Sequence, residues 1–324
     1  MRISLLDRAR TRAGEPDAAA LTGLVGRARQ AEALGFHRFW VAEHHGVPGV
    51  AGGSPLTLLA ALAACTERIR LGTGGVMLPN HRPLIVAEQA RLLEALHPGR
   101  LDLGLGASLG YTAGVRRALG RRRLADGEYP ELVRELIDHL HDDAPITARP
   151  QVTDPPPIFQ LAMGDGLAVA AELGLPAVVG GDLLRRPERL AAYRRDFRPT
   201  TAEPEPRLIL SVDVAVADSA AQARRLLLPE AWALARTREV GAFRPLEPLE
   251  AVEEQLRAGV TDSVDEAIRR HLDAAVVGTA EEVGEQLADL LAASGAEEVM
   301  AWTSIHDREQ LAASDAALAS LMTD

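Results

Sequence analysis

The stretch His37–Leu78, HRFWVAEHHGVPGVAGGSPLTLLAALAACTERIRLGTGGVML, carries the fold in miniature. It opens in a short apolar strand that runs into Glu43, His44 and His45 and then into a glycine loop. Ser54 and Pro55 follow, a cap residue and a proline at the first helical position, which start the helix SPLTLLAALAACT. RIRLGTGGVML, from Arg68, is a strand again, with glycines in its second half. Strand, helix and strand in this order read as one parallel crossover unit.

The alternation continues on both sides. RISLLD (from Arg2) is a strand, and PDAAALTGLVGRARQAEALG (from Pro16) is a helix stopped at Gly35. PLIVAEQARLLEALHPGR is a helix stopped by its HPG, followed by the strand LDLGLG from Leu101. Residues 107–123 are rich in Gly and Arg and match neither period. EYPELVRELIDHLH is a helix, and a Pro-rich link leads to the strand IFQLA. Further strands are expected in PAVVGG, RLILSVDVAVA and EEVMAWT, with helices between them. One of these helices starts at Thr279 with Glu282 three residues on, a capping box. A segment from about 240 to 270 breaks the alternation and reads as an insertion before the last strand–helix units. Eight alternations predict an α/β fold, a single (β/α)8 TIM barrel spanning 1–324; a doubly wound open sheet is the alternative. GLGASLG does not read as a dinucleotide loop, because it follows the fourth strand and no acidic ribose partner is evident.

The net charge of −11 argues against a nucleic-acid partner. Every basic side chain except histidine is arginine, which removes Schiff-base lysine chemistry. Cys65 is the single cysteine, so neither an internal disulfide nor a thiolate cluster is available. No signal peptide or membrane-length apolar run is visible, and a cytoplasmic protein is expected.

In a barrel, chemistry gathers at the C-terminal ends of the strands. That rule brings forward Glu43, His44 and His45 after the second strand, and Gly74 and Gly75 after the third, with Asn80 and His81 beyond. Gly106, Ala107 and Tyr111 follow the fourth strand; Met163, Gly164 and Gly166 follow the fifth. Asp182 follows the sixth, and Trp302 ends the eighth. Because side chains alternate along a strand, only one of His44 and His45 is expected to face the axis. A metal centre needs three or four convergent ligands, and none is expected here.

AEHH, RIRLGTGGVMLPNHRPL and HPGRLDLGLG, in that order, resemble the bacterial luciferase-like flavin monooxygenase family, especially its single-chain actinobacterial branch. The likeness is dense from about Leu34 to Gly106 and resumes toward the C-terminus. It implies a barrel, often dimeric, that binds reduced FMN supplied by a separate flavin reductase and oxidises a small organic substrate with O2. Secondary metabolism is the expected setting. It implies His44 as the acid–base group near the flavin, with Glu43 and His45 around it. It also implies a non-proline cis peptide at Gly74–Gly75, beneath the ring. Gly106, Ala107, Met163, Gly164 and Gly166 fall at the cofactor's phosphate end, and Asn80, His81, Tyr111 and Trp302 at the substrate.

Three positions depart from the family pattern. Ala107 stands about where an arginine is usual, and Met163 and Gly166 stand where hydroxyl residues are usual. Asp165 adds a negative charge, worth roughly 4 kcal/mol against another unit charge at about 4 Å and an effective dielectric near 20. Arg116, Arg117 and Arg121 to Arg123 are the candidates to compensate. The alternatives are a relative that uses the same pocket without flavin for proton transfer, and a non-catalytic partner subunit.

Overall fold

The computed structural model describes residues 1–120, 123–240 and 242–322. Eight parallel strands close on themselves: β1 (Arg2–Asp7), β2 (Arg38–Val41), β3 (Arg70–Thr73), β4 (Leu101–Gly106), β5 (Ile158–Ala162), β6 (Ala177–Gly180), β7 (Leu208–Val216) and β8 (Glu298–Trp302). β1 pairs with both β2 and β8, and β8 pairs with β7, so the barrel has no free edge. This is the TIM barrel that the alternation predicts. No described helix is long and apolar enough to cross a membrane.

The interior is layered, as the two-residue period of the strands requires. At the N-terminal end, Ser4, Arg38, Asp102 and Glu298 form a buried polar layer. Arg38 donates from Nη1 to Asp102 Oδ2 at 2.7 Å and from Nε to Glu298 Oε1 at 3.0 Å. Arg70 donates to Asp102 Oδ1 at 2.5 Å. Above it, Trp40, Phe159, Val178, Ile209 and Met300 pack as an apolar plug. Trp40 meets Phe159 edge-on at 5.2 Å and donates its indole N–H to Asp102 Oδ2 at 3.2 Å. The indole is nearly the largest side chain available, and β3 and β4 make room for it. A Cβ on Gly72 would collide with the Trp40 ring, and one on Gly104 with the Thr73 carbonyl and the same ring. Gly72 and Gly104 are therefore a steric requirement of the plug.

The expected interruption is helical and wider than 240–270. After β7 come α8 (Ala220–Leu226), α9 (Leu228–Val240), α10 (Leu249–Ala258) and α11 (Asp262–Ala274). A short strand, Val276–Gly278, then extends β7, and α12 (Ala280–Ser294) starts at the Thr279–Glu282 capping box. The inserted helices have their own small core around Leu227, Trp232, Val264 and Ile268. Glu230 ties them to the barrel. Its fully buried carboxylate accepts from Arg8 at 2.7 Å and Arg10 at 2.8 Å, both just beyond β1. Residues 107–123, unassigned by pattern, contain the short helix α4 (Ala113–Ala118), capped by Thr112.

Asp102→Ala leaves the Arg38 guanidinium short of a partner in the barrel interior. Removing one member of a buried pair costs about 3–5 kcal/mol, and urea unfolding should show a loss of that size. A loss under about 1 kcal/mol would mean that the polar layer behaves like a surface pair.

Candidate functional site

β2 ends at Val41, and the next four residues leave strand geometry. The strict alternation that would send His44 and His45 to opposite sides therefore no longer applies. Both line one cavity at the C-terminal mouth of the barrel, of about 550 Å3. Its other walls include Gly74, Gly75, Gly106, Ala107, Tyr111 and Met163. Gly166, at the start of α6 (Gly166–Leu173), reaches it as well. The Gly74–Gly75 peptide is cis and forms part of the wall.

Glu43 is the anchor of this region. It is 3% exposed, and its carboxylate accepts from His45 Nε2 at 2.5 Å, His81 Nε2 at 2.7 Å and the Met77 backbone N–H at 2.8 Å. Burial alone would raise its pKa. The hydrogen bonds from His81, Met77 and His45 outweigh burial and hold it below the usual carboxylate range. One buried anion thus pins the loops after β2 and β3 together. The three groups also lie close enough to share a cation, yet the histidines already spend their Nε2 atoms on Glu43.

His44 is built differently. Its Nδ1 is buried and has no hydrogen-bond partner among the described residues. Its ring lies nearly parallel to Phe243, with centroids 6.5 Å apart, and Arg10 covers Phe243 at 4.1 Å. Burial, reinforced by the positive charges of Arg8 and Arg10, lowers the His44 pKa to about 4. The imidazole is neutral at pH 7 and keeps an unused polar nitrogen beside the cavity.

The remaining expected residues divide. Tyr111 lines the cavity and leans on Phe243 at 5.8 Å. Asn80 and His81 do not line it; His81 faces Glu43, and both side-chain polar atoms of Asn80 are buried without a partner among the described residues. Gly164 lies on the loop between β5 and α6 at positive φ. Trp302 lines a neighbouring cavity instead, across the mouth. Asp165 does not confront the cavity. Its side chain points fully into solvent, 3.4 Å from Arg189. Among the described residues no compensating arginine reaches the cavity: Arg116 donates to the Gly110 carbonyl in its own loop at 3.0 Å, and Arg117 and Arg123 are not among the lining residues. Arg121 and Arg122 lie outside the described residues. Sequence reasoning missed Phe243, Arg8, Arg10 and Glu230. Glu230 had one visible signal, a lone acid between apolar residues in LLLPEAWALA.

The chain is similar over its length to known proteins. A family model described as luciferase-like monooxygenase matches residues 1–298. A luciferase-like monooxygenase of Escherichia coli is 32% identical over 318 residues, covering 95% of this chain and 92% of that one. The crystal structure of apo-MsnO8 is similar at a TM-score of 0.90 and 32% identity, covering 99% of this chain and 98% of that one. The oxygenating constituent of 3,6-diketocamphane monooxygenase from Pseudomonas putida, solved with FMN, shares the fold at a TM-score of 0.73 and 20% identity, covering 98% of this chain and 96% of that one.

The lowered pKa of His44 has a thermodynamic sign. The unfolded imidazole, near 6.5, binds a proton more readily than the folded one, near 4. Stability from this group is complete above pH 6.5 and is lost as pH falls through 4. In chemical denaturation, wild type minus His44→Ala should therefore gain stability between pH 4 and 6.5 and stay level above. A difference independent of pH would show that His44 titrates normally.

Proposed function

The chain belongs to the luciferase-like monooxygenase family, and from that membership we propose that it oxidises a small organic substrate with O2 and reduced FMN delivered by a separate reductase. The observation that carries this reading is the unpartnered, neutral His44 nitrogen at the wall of a cavity of small-molecule size. Bound reduced flavin supplies two electrons, so that one oxygen atom of O2 enters the substrate and the other leaves as water.

The residues present fit the ring end of a flavin. Gly74 and Gly75 provide a floor with no side chain, and Ala42, Met77, Leu161 and Met163 provide apolar walls that exclude water. The orphaned Nδ1 of His44 can accept a proton from a reacting group and return it, because a neutral imidazole both accepts and donates. Glu43, buried and committed to His45, His81 and the Met77 amide, positions the wall rather than titrating. The phosphate end is held more weakly. Ser108 and the backbone at the start of α6 face it, with no arginine among the described lining residues.

Anaerobic calorimetry with reduced FMN should give micromolar binding, and admitting O2 in the presence of substrate should give turnover that His44→Ala lowers by 100-fold or more. Reduced riboflavin should bind within about tenfold of reduced FMN, since the phosphate finds no cation among the described lining residues. Ala107→Arg should tighten reduced FMN by about tenfold and leave reduced riboflavin unchanged. No binding of reduced FMN up to millimolar would overturn flavin use and favour flavin-free acid–base chemistry in the same cavity.

A further inference from the structure

Across the barrel mouth lies a second and larger cavity, of about 660 Å3, lined from β6, β7, β8 and α11. Two of its groups stand out. Asp213 projects inward from β7, two residues beyond Ser211, opposite Trp302 in the β7–β8 register. Its side chain is 4% exposed, and both carboxylate oxygens lack a hydrogen-bond partner among the described residues. His271, carried on α11 of the insertion, places Nε2 3.1 Å from Asp213 Oδ2, but the ring N–H is not aligned with that oxygen, and Nε2 is itself unpartnered.

Buried carboxylates are ordinarily satisfied, and an unmet one costs more than an unmet neutral group. Arg8 acts on Asp213 by charge but forms no hydrogen bond with it among the described residues: it lies over the Trp302 ring at 4.4 Å, and its Nη2 donates to Glu230 at 2.7 Å and Ser304 at 2.9 Å. Around the acid the walls are apolar: Trp302, Val212, Leu184, Leu290 and Val276. Asp273 and Asp289 also line the cavity, against Arg185 and His271, and Asp273 is already paired with Arg224. Burial raises the Asp213 pKa against the pull of His271 and Arg8; an ammonium group would donate to its oxygens and offset the charge that burial penalises, which an organic carboxylate cannot do.

The two cavities share one lining residue. Met163 belongs to both and is 73% exposed. Its unbranched thioether borders each of them, and its three rotatable bonds give it more than one packing. A molecule anchored on Asp213 with its apolar body toward Met163 is therefore directed at the His44 cavity.

We propose that this cavity is the substrate compartment and that Asp213, flanked by His271, receives the amino group of an organic amine with an apolar body. That the compartment serves oxidation rests on the monooxygenase reading; the recognition of the amine does not. The insertion then has a role in the chemistry, because α11 contributes one side of the compartment.

The test uses the full-length protein and three probes of equal chain length, n-hexylamine, n-hexanol and n-hexanoate, titrated by calorimetry without flavin. Hexylamine should bind at least tenfold more tightly than hexanol, and hexanoate more weakly than both. Asp213→Asn, which keeps the side-chain shape, should bring hexylamine to within threefold of hexanol while the circular dichroism spectrum is unchanged. His271→Ala should retain the preference for the amine. Hexylamine and hexanol binding alike to wild type, or a preference that survives Asp213→Asn, would overturn the proposal. Reduced FMN titrated separately into wild type and Asp213→Asn keeps the two readings apart. Equal binding to both supports separate compartments, and no binding to either removes the flavin while leaving the amine result to stand or fall alone.

Discussion

The packing of one indole governs the barrel. Trp40 occupies the middle layer, between the charged Arg38–Asp102–Glu298 layer below and the open mouth above. A ring of that size leaves no volume for side chains from β3 and β4 at the same height, which is why Gly72 and Gly104 stand there. Phe159, Ile209 and Met300 fill the rest from the opposite wall. The plug seals the barrel and sets the depth at which any ligand stops. Everything chemical lies above it, on residues that have just left the strands.

That boundary explains how much could be read from sequence. The strands and helices were legible because apolar runs and glycine stops obey fixed periods, and eight alternations left few topologies. The capping box at Thr279 and Glu282 was legible for the same local reason. The site was legible only in part. Period-two reasoning fails one residue past a strand, so His44 and His45 face the same cavity although alternation separates them. Asp213 was the opposite case. It sits within the apolar strand LILSVDVAV, and its charge among buried neighbours was a signal present in the sequence. His271, 3.1 Å from it, comes from a helix 58 positions away, and no local pattern links the two.

Two histidines only one residue apart carry different chemistry because of what surrounds each. His45 donates to a buried carboxylate; His44 packs on Phe243, where burial and the charges of Arg8 and Arg10 outweigh Glu230 and Glu43, and stays neutral with a nitrogen to spare. The contrast between a satisfied and an unsatisfied imidazole separates scaffold from chemistry more sharply than the residue type does. The same contrast divides the acids, since Glu43 and Glu230 are fully engaged and Asp213 is not.

The closure of the barrel has a consequence for how the chain assembles. β1 cannot complete its pairing until β8, nearly 300 residues later, has been made. Arg8 and Arg10 likewise wait for Glu230. During synthesis the first seven strands form at most an open sheet with two unprotected edges, and joining distant segments carries the entropy of a long loop. A fragment that stops short of β8 therefore leaves β1 without one of its two neighbours and the barrel open beneath the mouth.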